Sequence, residues 1–169
     1  MITTFIEFRH AATEKLDAFN NFINAHQLAQ TIQPDHFGYR CLNSDEFARM
    51  RALFEFESTF IYQSIIAGRR IALIKLKKPF ITLAGPLSYV ELSDQKPDGS
   101  QKSGFDHVEF FSNQKSVAEL VSLFAEKGLS FSKIERPHHV TFDHQLENGL
   151  ILRIEPIALI QKIIEQEVA

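Results

Sequence analysis

The chain has no tryptophan and only one cysteine, and these absences narrow the chemistry that it can perform. A single cysteine, Cys41, excludes an internal disulfide and a cysteine-rich zinc site. Among the 169 residues, no apolar run approaches the roughly 18 residues that a membrane span requires. The first eight residues are too short for a signal peptide and include Glu7. We therefore expect a cytoplasmic protein that does not bind membranes.

An excess of basic charge is also missing. The formal net charge is −3 and the isoelectric point is about 6.2, whereas a protein that binds nucleic acid usually carries a basic stripe. The short clusters Arg69-Arg70 and Lys75-Lys77-Lys78 are interpreted as solvated edges of strands. We therefore expect a small-molecule partner and no nucleic acid. Sixteen phenylalanines supply the bulk for the core of one compact domain or of two fused modules.

Apolar periodicity predicts the same order of elements, β-α-β-β-β, in each half of the chain. The predicted strands are His36–Cys41, Thr59–Ile66, Arg70–Lys77, Leu87–Leu92, Phe105–Phe111, Leu129–Ile134, His138–Asp143 and Leu150–Ile154. The predicted helices run from Thr13 to about His26 after a shorter first helix, from Asn43 past Leu53, and from Gln114 to Lys127.

These elements predict an α+β fold in which two βαβββ modules form one cupped, mixed sheet. An N-terminal helical extension covers residues 1–33, and the first module covers 34–95. A polar linker rich in turn residues leads to the second module at 104–156. A C-terminal helix with one apolar face completes the chain at 157–169.

The dipeptide Asp-His lies at the start of the first predicted strand of each module, as Asp35-His36 and Asp106-His107. In each module the last strand carries or adjoins a glutamate. Side chains two apart in a strand share a face, and this parity places both histidines and both glutamates opposite the apolar, helix-packed face. The four candidate ligands are His36, Glu91, His107 and Glu155.

Two imidazoles and two carboxylates suit a divalent ion such as Zn²⁺, Ni²⁺, Fe²⁺ or Mn²⁺. Such an ion can act as a Lewis acid on a substrate carbonyl. Glu109 follows His107 on the same face and is a candidate base or a partner of the metal ligands; His139 is an alternative base. Arg40, Tyr89 and Arg153 are candidates for binding substrate.

Three segments carry a family resemblance: Asp-His-Phe-Gly-Tyr-Arg-Cys, Ser-Tyr-Val-Glu-Leu and Phe-Asp-His-Val-Glu. They resemble the YecM-like branch of the vicinal oxygen chelate superfamily, which includes glyoxalase I, epimerases, extradiol dioxygenases and antibiotic-resistance proteins. The resemblance covers about residues 33–156. It implies that the metal ligands come from the first and fourth strands of each module, where the four candidates fall.

The resemblance implies an isomerase, lyase or epimerase that acts on a small oxygenated metabolite. A metal-dependent binding protein without turnover is the first alternative. A site without Glu155 would favour an extradiol-type oxygenase, and a structural domain without metal is a further alternative. Homodimer formation stays open.

Overall fold

One eight-stranded sheet and four helices make up the part of the chain that the computed structural model describes, residues 1–136 and 139–168. The helices are α1 Phe5–Ala25, α2 Ser44–Leu53, α3 Val117–Glu126 and α4 Leu159–Val168. The strands are β1 Gln33–Arg40, β2 Ser58–Ile66, β3 Arg69–Thr82, β4 Gly85–Ser93, β5 Gly104–Phe111, β6 Ser132–Glu135, β7 Val140–Gln145 and β8 Ile151–Ile154.

The sheet consists of two similar halves joined at its centre. The strand order is β2-β3-β4-β1-β5-β8-β7-β6. Within the halves, β1 is parallel to β4 and β5 is parallel to β8; between them, β1 and β5 are antiparallel. Each half is a βαβββ module within one mixed sheet, so the predicted α+β class is confirmed.

α1 is one continuous helix, so the predicted start of a second helix at Thr13 is wrong. Thr4 caps the first turn, because its hydroxyl accepts a hydrogen bond from the Glu7 amide while the Glu7 carboxylate accepts one from the Thr4 amide. Thr13 lies inside the helix, where its hydroxyl donates to the Arg9 carbonyl at 2.8 Å. A threonine hydroxyl can cap a helix or bond to a carbonyl inside it, so the presence of threonine alone does not mark a helix start.

Several strand boundaries also differ from the predicted ones. β1 begins at Gln33 and contains Pro34, which was expected to lie in a break before the strand. β3 continues to Thr82 instead of ending at Lys77. β7 begins at Val140; Pro137 and His138, at the start of the predicted strand His138–Asp143, lie outside the described residues.

Helices α1 and α3 pack on one face of the sheet, and the candidate site lies on the other face, which α4 also contacts. Phe8 of α1 contacts Phe105 of β5 at a ring distance of 5.2 Å, and Phe19 contacts Phe110 at 6.3 Å. Burying such rings removes a large apolar area from water. We call the opposite face, which carries His36, Gly38, Glu91 and His107, the cup face.

Candidate metal centre

Two β-bulges prepare the centre of the cup face. Where β1 and β5 pair, the register skips Asp35 on β1 and Asp106 on β5. A bulge frees the extra residue from the ladder and bends its strand. Each aspartate contacts the ring that follows it: Asp35 Oδ2 is 2.9 Å from His36 Nδ1, and Asp106 Oδ2 is 2.8 Å from His107 Nδ1. A carboxylate at Nδ1 favours the proton there and leaves the Nε2 lone pair free.

The two histidines meet between the halves of the sheet. Their Nε2 atoms are 3.3 Å apart and their rings lie edge to face. Glu109 Oε1 is 3.6 Å from both Nε2 atoms, and Glu91 Oε2 is 3.7 Å from His36 Nε2. His36, Glu91 and His107 offer ligand atoms that all lie within 4.8 Å of one another. Two facing lone pairs repel, whereas a cation shared with the carboxylates would bind to both.

Gly38 makes room for this contact. A Cβ at position 38 would lie 2.3 Å from Cε1 and 2.6 Å from Nδ1 of His107. Atoms that are not bonded cannot approach so closely, so any other residue would displace the imidazole. Only glycine lets the His107 ring lie directly over β1.

The charges at the centre favour a cation. Burial alone would lower the pKa of His36, but Glu109, Asp35 and Glu91 outweigh it and raise that pKa to about 10. Burial would raise the pKa of Glu109, yet His36, His107 and Arg153 hold it below its usual value. The carboxylates thus create a negative potential between the histidines, which a proton or a metal ion would neutralise.

The strand register separates Glu155 from this cluster. Gly38 lies opposite Glu91 across β1 and β4, whereas Glu109 lies opposite Arg153 across β5 and β8. Gly38 lies two residues after His36, and Glu109 lies two residues after His107. Arg153, which lies opposite Glu109, is therefore the equivalent of Glu91 in the second half. The structure therefore brings together three of the four predicted ligands, and Glu109 lies beside them in place of Glu155.

Glu155 is held by other partners. Its Oε2 atom accepts a hydrogen bond from Lys162 Nζ of α4 at 2.5 Å, and its Oε1 atom is 3.9 Å from His139 Nε2. Burial and the nearby Glu109 charge raise the pKa of Glu155, although Lys162 opposes this effect. His139, the alternative base, thus lies at this ion pair.

The three residues predicted to bind substrate differ in their freedom to do so. Arg153 Nε and Nη2 donate to the two carboxylate oxygens of Asp143, each at 2.9 Å, and Nη1 is 3.5 Å from Glu109. The guanidinium is therefore fixed and orients Glu109. Arg40 pairs with Asp106 at 2.7 Å but stays partly exposed, and Tyr89 is also partly exposed.

Sequence reasoning missed the residues that position the others. Asp35 and Asp106 orient the histidines, and the repetition of Asp before each histidine was a signal for that role. Gly38 had no signal, because its function depends on a ring that is distant in sequence. The same is true of Asp143 and Lys162, which pair with Arg153 and Glu155 across different elements.

Two βαβββ modules in one mixed sheet, with a histidine pair between them, are consistent with the vicinal oxygen chelate fold. The YecM protein family matches residues 6–155, and the chain belongs to that family. The predicted resemblance is confirmed. Within the described residues, none of the helices is both long enough and apolar enough to span a membrane.

A solved structure shares this fold, and two others match it less well. A structural-genomics structure described as Protein EC4020 matches with a TM-score of 0.66 and 21% identity, covering 95% of this chain and 93% of that chain. A complex of methylmalonyl-CoA epimerase with methylmalonyl-CoA and NH4+ matches with a TM-score of 0.48 and 17% identity, covering 73% and 93%. The fosfomycin resistance protein FosX from Mesorhizobium loti matches at 0.24 and 11%, covering 76% and 94%. No curated protein sequence matches the chain.

Proposed function

We propose that this protein binds one divalent metal ion and acts with it as an isomerase, lyase or epimerase on a small oxygenated metabolite. The observation that carries the proposal is the pair of facing Nε2 atoms 3.3 Å apart, with two carboxylates within 3.7 Å. His36, Glu91 and His107 would hold the ion. Glu109 would replace Glu155 as the fourth ligand, because Lys162 occupies the Glu155 carboxylate.

The donor set suits this role. Nitrogen and carboxylate oxygen donors bind Zn²⁺, Ni²⁺, Fe²⁺ or Mn²⁺, and two carboxylates offset the charge of the ion. When bound, the ion would polarise a substrate oxygen as a Lewis acid. Asp35 and Asp106 keep each Nε2 directed at the centre. Because its pKa is lowered, Glu109 is better suited to bind a cation than to accept a proton from substrate.

Elemental analysis tests the metal centre. Wild-type protein purified without chelator should hold about one divalent ion per chain, and His36→Ala and His107→Ala should each hold much less. His10→Ala is the matched control, because the His10 side chain is 76% exposed on α1. Equal metal content in all four proteins would contradict the assignment. No metal in wild type, even after incubation with each candidate ion, would contradict metal binding itself.

A pair of isosteric variants tests the fourth ligand. Glu109→Gln removes a charge beside both histidines and should weaken metal binding at least about tenfold. Glu155→Gln removes a charge that contacts Lys162 and should leave metal binding close to wild type. The opposite ranking would restore Glu155 as the ligand. Titration calorimetry with Mn²⁺ or Zn²⁺ measures both affinities.

A three-ligand oxygenase is the second candidate, and one observation favours it. His36, His107 and Glu91 alone form a set of two histidines and one carboxylate, which is typical of non-haem Fe(II) oxygenases. If Glu109→Gln keeps full affinity and iron predominates among the bound metals, this candidate replaces the isomerase. Oxygen consumption with catechol as a probe then provides a direct assay.

A further inference from the structure

The two halves of the cup face differ in what fills them. In the second half, Arg153 and Arg136 both contact Asp143, at 2.9 and 3.4 Å. α4 adds Lys162, which pairs with the buried Glu155. Charged side chains that already pair with one another leave little capacity to bind a ligand. A substrate that reaches the histidine pair is therefore expected to lie over the first half.

The first half offers an apolar surface beside Glu91. Leu73 lies opposite Glu91 across β3 and β4, and Tyr62 lies opposite Leu73 across β2 and β3. Leu73 is buried, whereas Tyr62 and Tyr89 are partly exposed on the same face. Aromatic rings with a free polar end suit contact with both the apolar body and the polar groups of a small molecule.

Arg69 lies at one end of this surface. It is the first residue of β3 and, four residues from Leu73, shares its face. The sequence predicted that Arg69 lies on a solvated strand edge, but Arg69 is partly buried. Its Nη1 donates to the side-chain oxygen of Gln101 and to the Asp94 carbonyl. These acceptors are neutral, and among the described residues no carboxylate forms an ion pair with the Arg69 guanidinium.

Arg40 is a second guanidinium at this end of the sheet: it lies opposite Ser93 across β1 and β4, and Ser93 lies opposite Ile71, two residues after Arg69. Burial lowers the pKa of Arg69, and the charge of Arg40 lowers it further, although Glu91 opposes both effects. Arg40 pairs with Asp106, but this carboxylate also contacts His107, so a single negative charge is divided between the two side chains and offsets the Arg40 charge only in part. Arg40 and Lys102 also line an open cavity of about 320 Å³ at this end of β1 and β5. Like charges brought together and partly desolvated favour a bound anion.

We propose that Arg69, with Arg40 beside it, binds the anionic group of the substrate, which is a small organic oxyanion. The body of the molecule would lie on Tyr62, Leu73 and Tyr89, with its reacting end towards Glu91. The Cα atoms of Arg69 and Leu73 are about 13 Å apart at the usual rise per residue, and the arginine side chain spans about half of that distance. A chain of a few carbon atoms fits the remainder. This inference rests on the proposed function for the position of the reacting end.

Titration calorimetry with three probes tests the anion subsite. The probes are 4-oxopentanoate, the matching neutral ketone 2-pentanone, and glycerol 3-phosphate. Wild type should bind at least one of the two oxyanions about tenfold or more tighter than the ketone, and the tighter one identifies a carboxylate or a phosphate substrate. Arg69→Gln should remove this preference, and Arg69→Lys should keep part of it. Lys133→Gln, which removes a positive charge from the far edge strand β6, should retain it.

The outcomes separate this inference from the metal proposal. Equal binding of ketone and oxyanions, or an unchanged preference in Arg69→Gln, would overturn the anion subsite whatever the metal content. A preference that depends on Arg69, in wild-type protein that takes up none of the candidate ions, would support the subsite while contradicting the metal centre. If Arg69→Gln does not fold, amide and guanidinium NMR shifts of wild type decide the matter. They should change at Arg69 and Gln101 on adding the oxyanion; changes confined to other parts of the sheet would overturn the subsite.

Discussion

At the scale of single residues, the candidate centre depends on the neighbours of the histidines as much as on the histidines themselves. Asp35 Oδ2 accepts a second hydrogen bond from the Leu159 amide at 2.9 Å, and Asp106 Oδ2 contacts Arg40 Nη2 at 2.7 Å. Each imidazole is thus fixed through an aspartate to a third element. Such outer partners set the tautomer and the direction of a metal-ligating nitrogen.

Gly38→Ala tests how closely the His107 ring approaches β1. The added Cβ would meet the ring at 2.3 Å, so we expect a loss of about 1–3 kcal/mol of unfolding free energy, as for other overpacked sites. Metal affinity should fall as well, because the ring must move. Urea unfolding followed by circular dichroism measures the stability change.

A double-mutant cycle supplies the control for this prediction. His107→Ala removes the ring, so Gly38→Ala should cost much less stability in that background than in wild type. Equal costs in the two backgrounds would mean that the alanine acts through the β1 backbone and not through the histidine.

The residue types of the site could be predicted from the sequence, but not all of their partners. The Asp-His repeat and strand parity identified His36 and His107, which do meet. Glu155 directly follows the last predicted strand, where a repeat of the first module would place a second glutamate. The register across β5 and β8 nevertheless puts Arg153 at the equivalent position, and Glu109 brings the carboxylate from the neighbouring strand. A single sequence does not distinguish registers that differ by two residues, because a slip of two residues keeps every side chain on the same face.

At the scale of elements, α4 joins the C-terminal segment to the cup face. Its first amide binds Asp35, and Lys162, within its first turns, binds Glu155. The family match ends at residue 155, before this helix begins. The apolar pattern predicted the helix, but such a pattern identifies a face without identifying the surface that covers it.

Lys162→Met tests the ion pair between α4 and β8. The Glu155 side chain is only 5% exposed, so the loss of its partner leaves a buried carboxylate beside Glu109. We expect a loss of about 1–3 kcal/mol, smaller than for a fully buried pair because Lys162 is 30% exposed. Thermal and urea unfolding at neutral pH measure it.

The matched double variant removes the buried charge together with its partner. Glu155→Gln combined with Lys162→Met should recover most of the lost stability, since no unpaired buried charge remains. A double variant as unstable as Lys162→Met alone would assign the loss to the apolar contacts of α4.

At the scale of the whole molecule, the candidate centre belongs to neither half alone. His36 and Glu91 come from the first half, and His107 and Glu109 come from the second. The antiparallel pair of β1 and β5 joins the halves into one ladder, and α1 packs on both, with Phe8 against Tyr39 of β1 and Phe19 against Phe110 of β5. Because β1 pairs with β5 and α1 packs on both halves, we expect the halves to be stable only together.

The distribution of tyrosine allows this coupling to be measured. The chain has three tyrosines, at positions 39, 62 and 89, all in the first half, and no tryptophan to mask their fluorescence. Far-ultraviolet circular dichroism reports on both halves. We expect the two signals to give the same urea midpoint, as a cooperative two-state transition requires.

Leu152→Ala, at a fully buried position on β8, should destabilise the protein by about 2–5 kcal/mol and shift both midpoints equally. A tyrosine transition that stays in place while the dichroism transition moves would show that the first half unfolds independently, and that the two sides of the centre are not stabilised together.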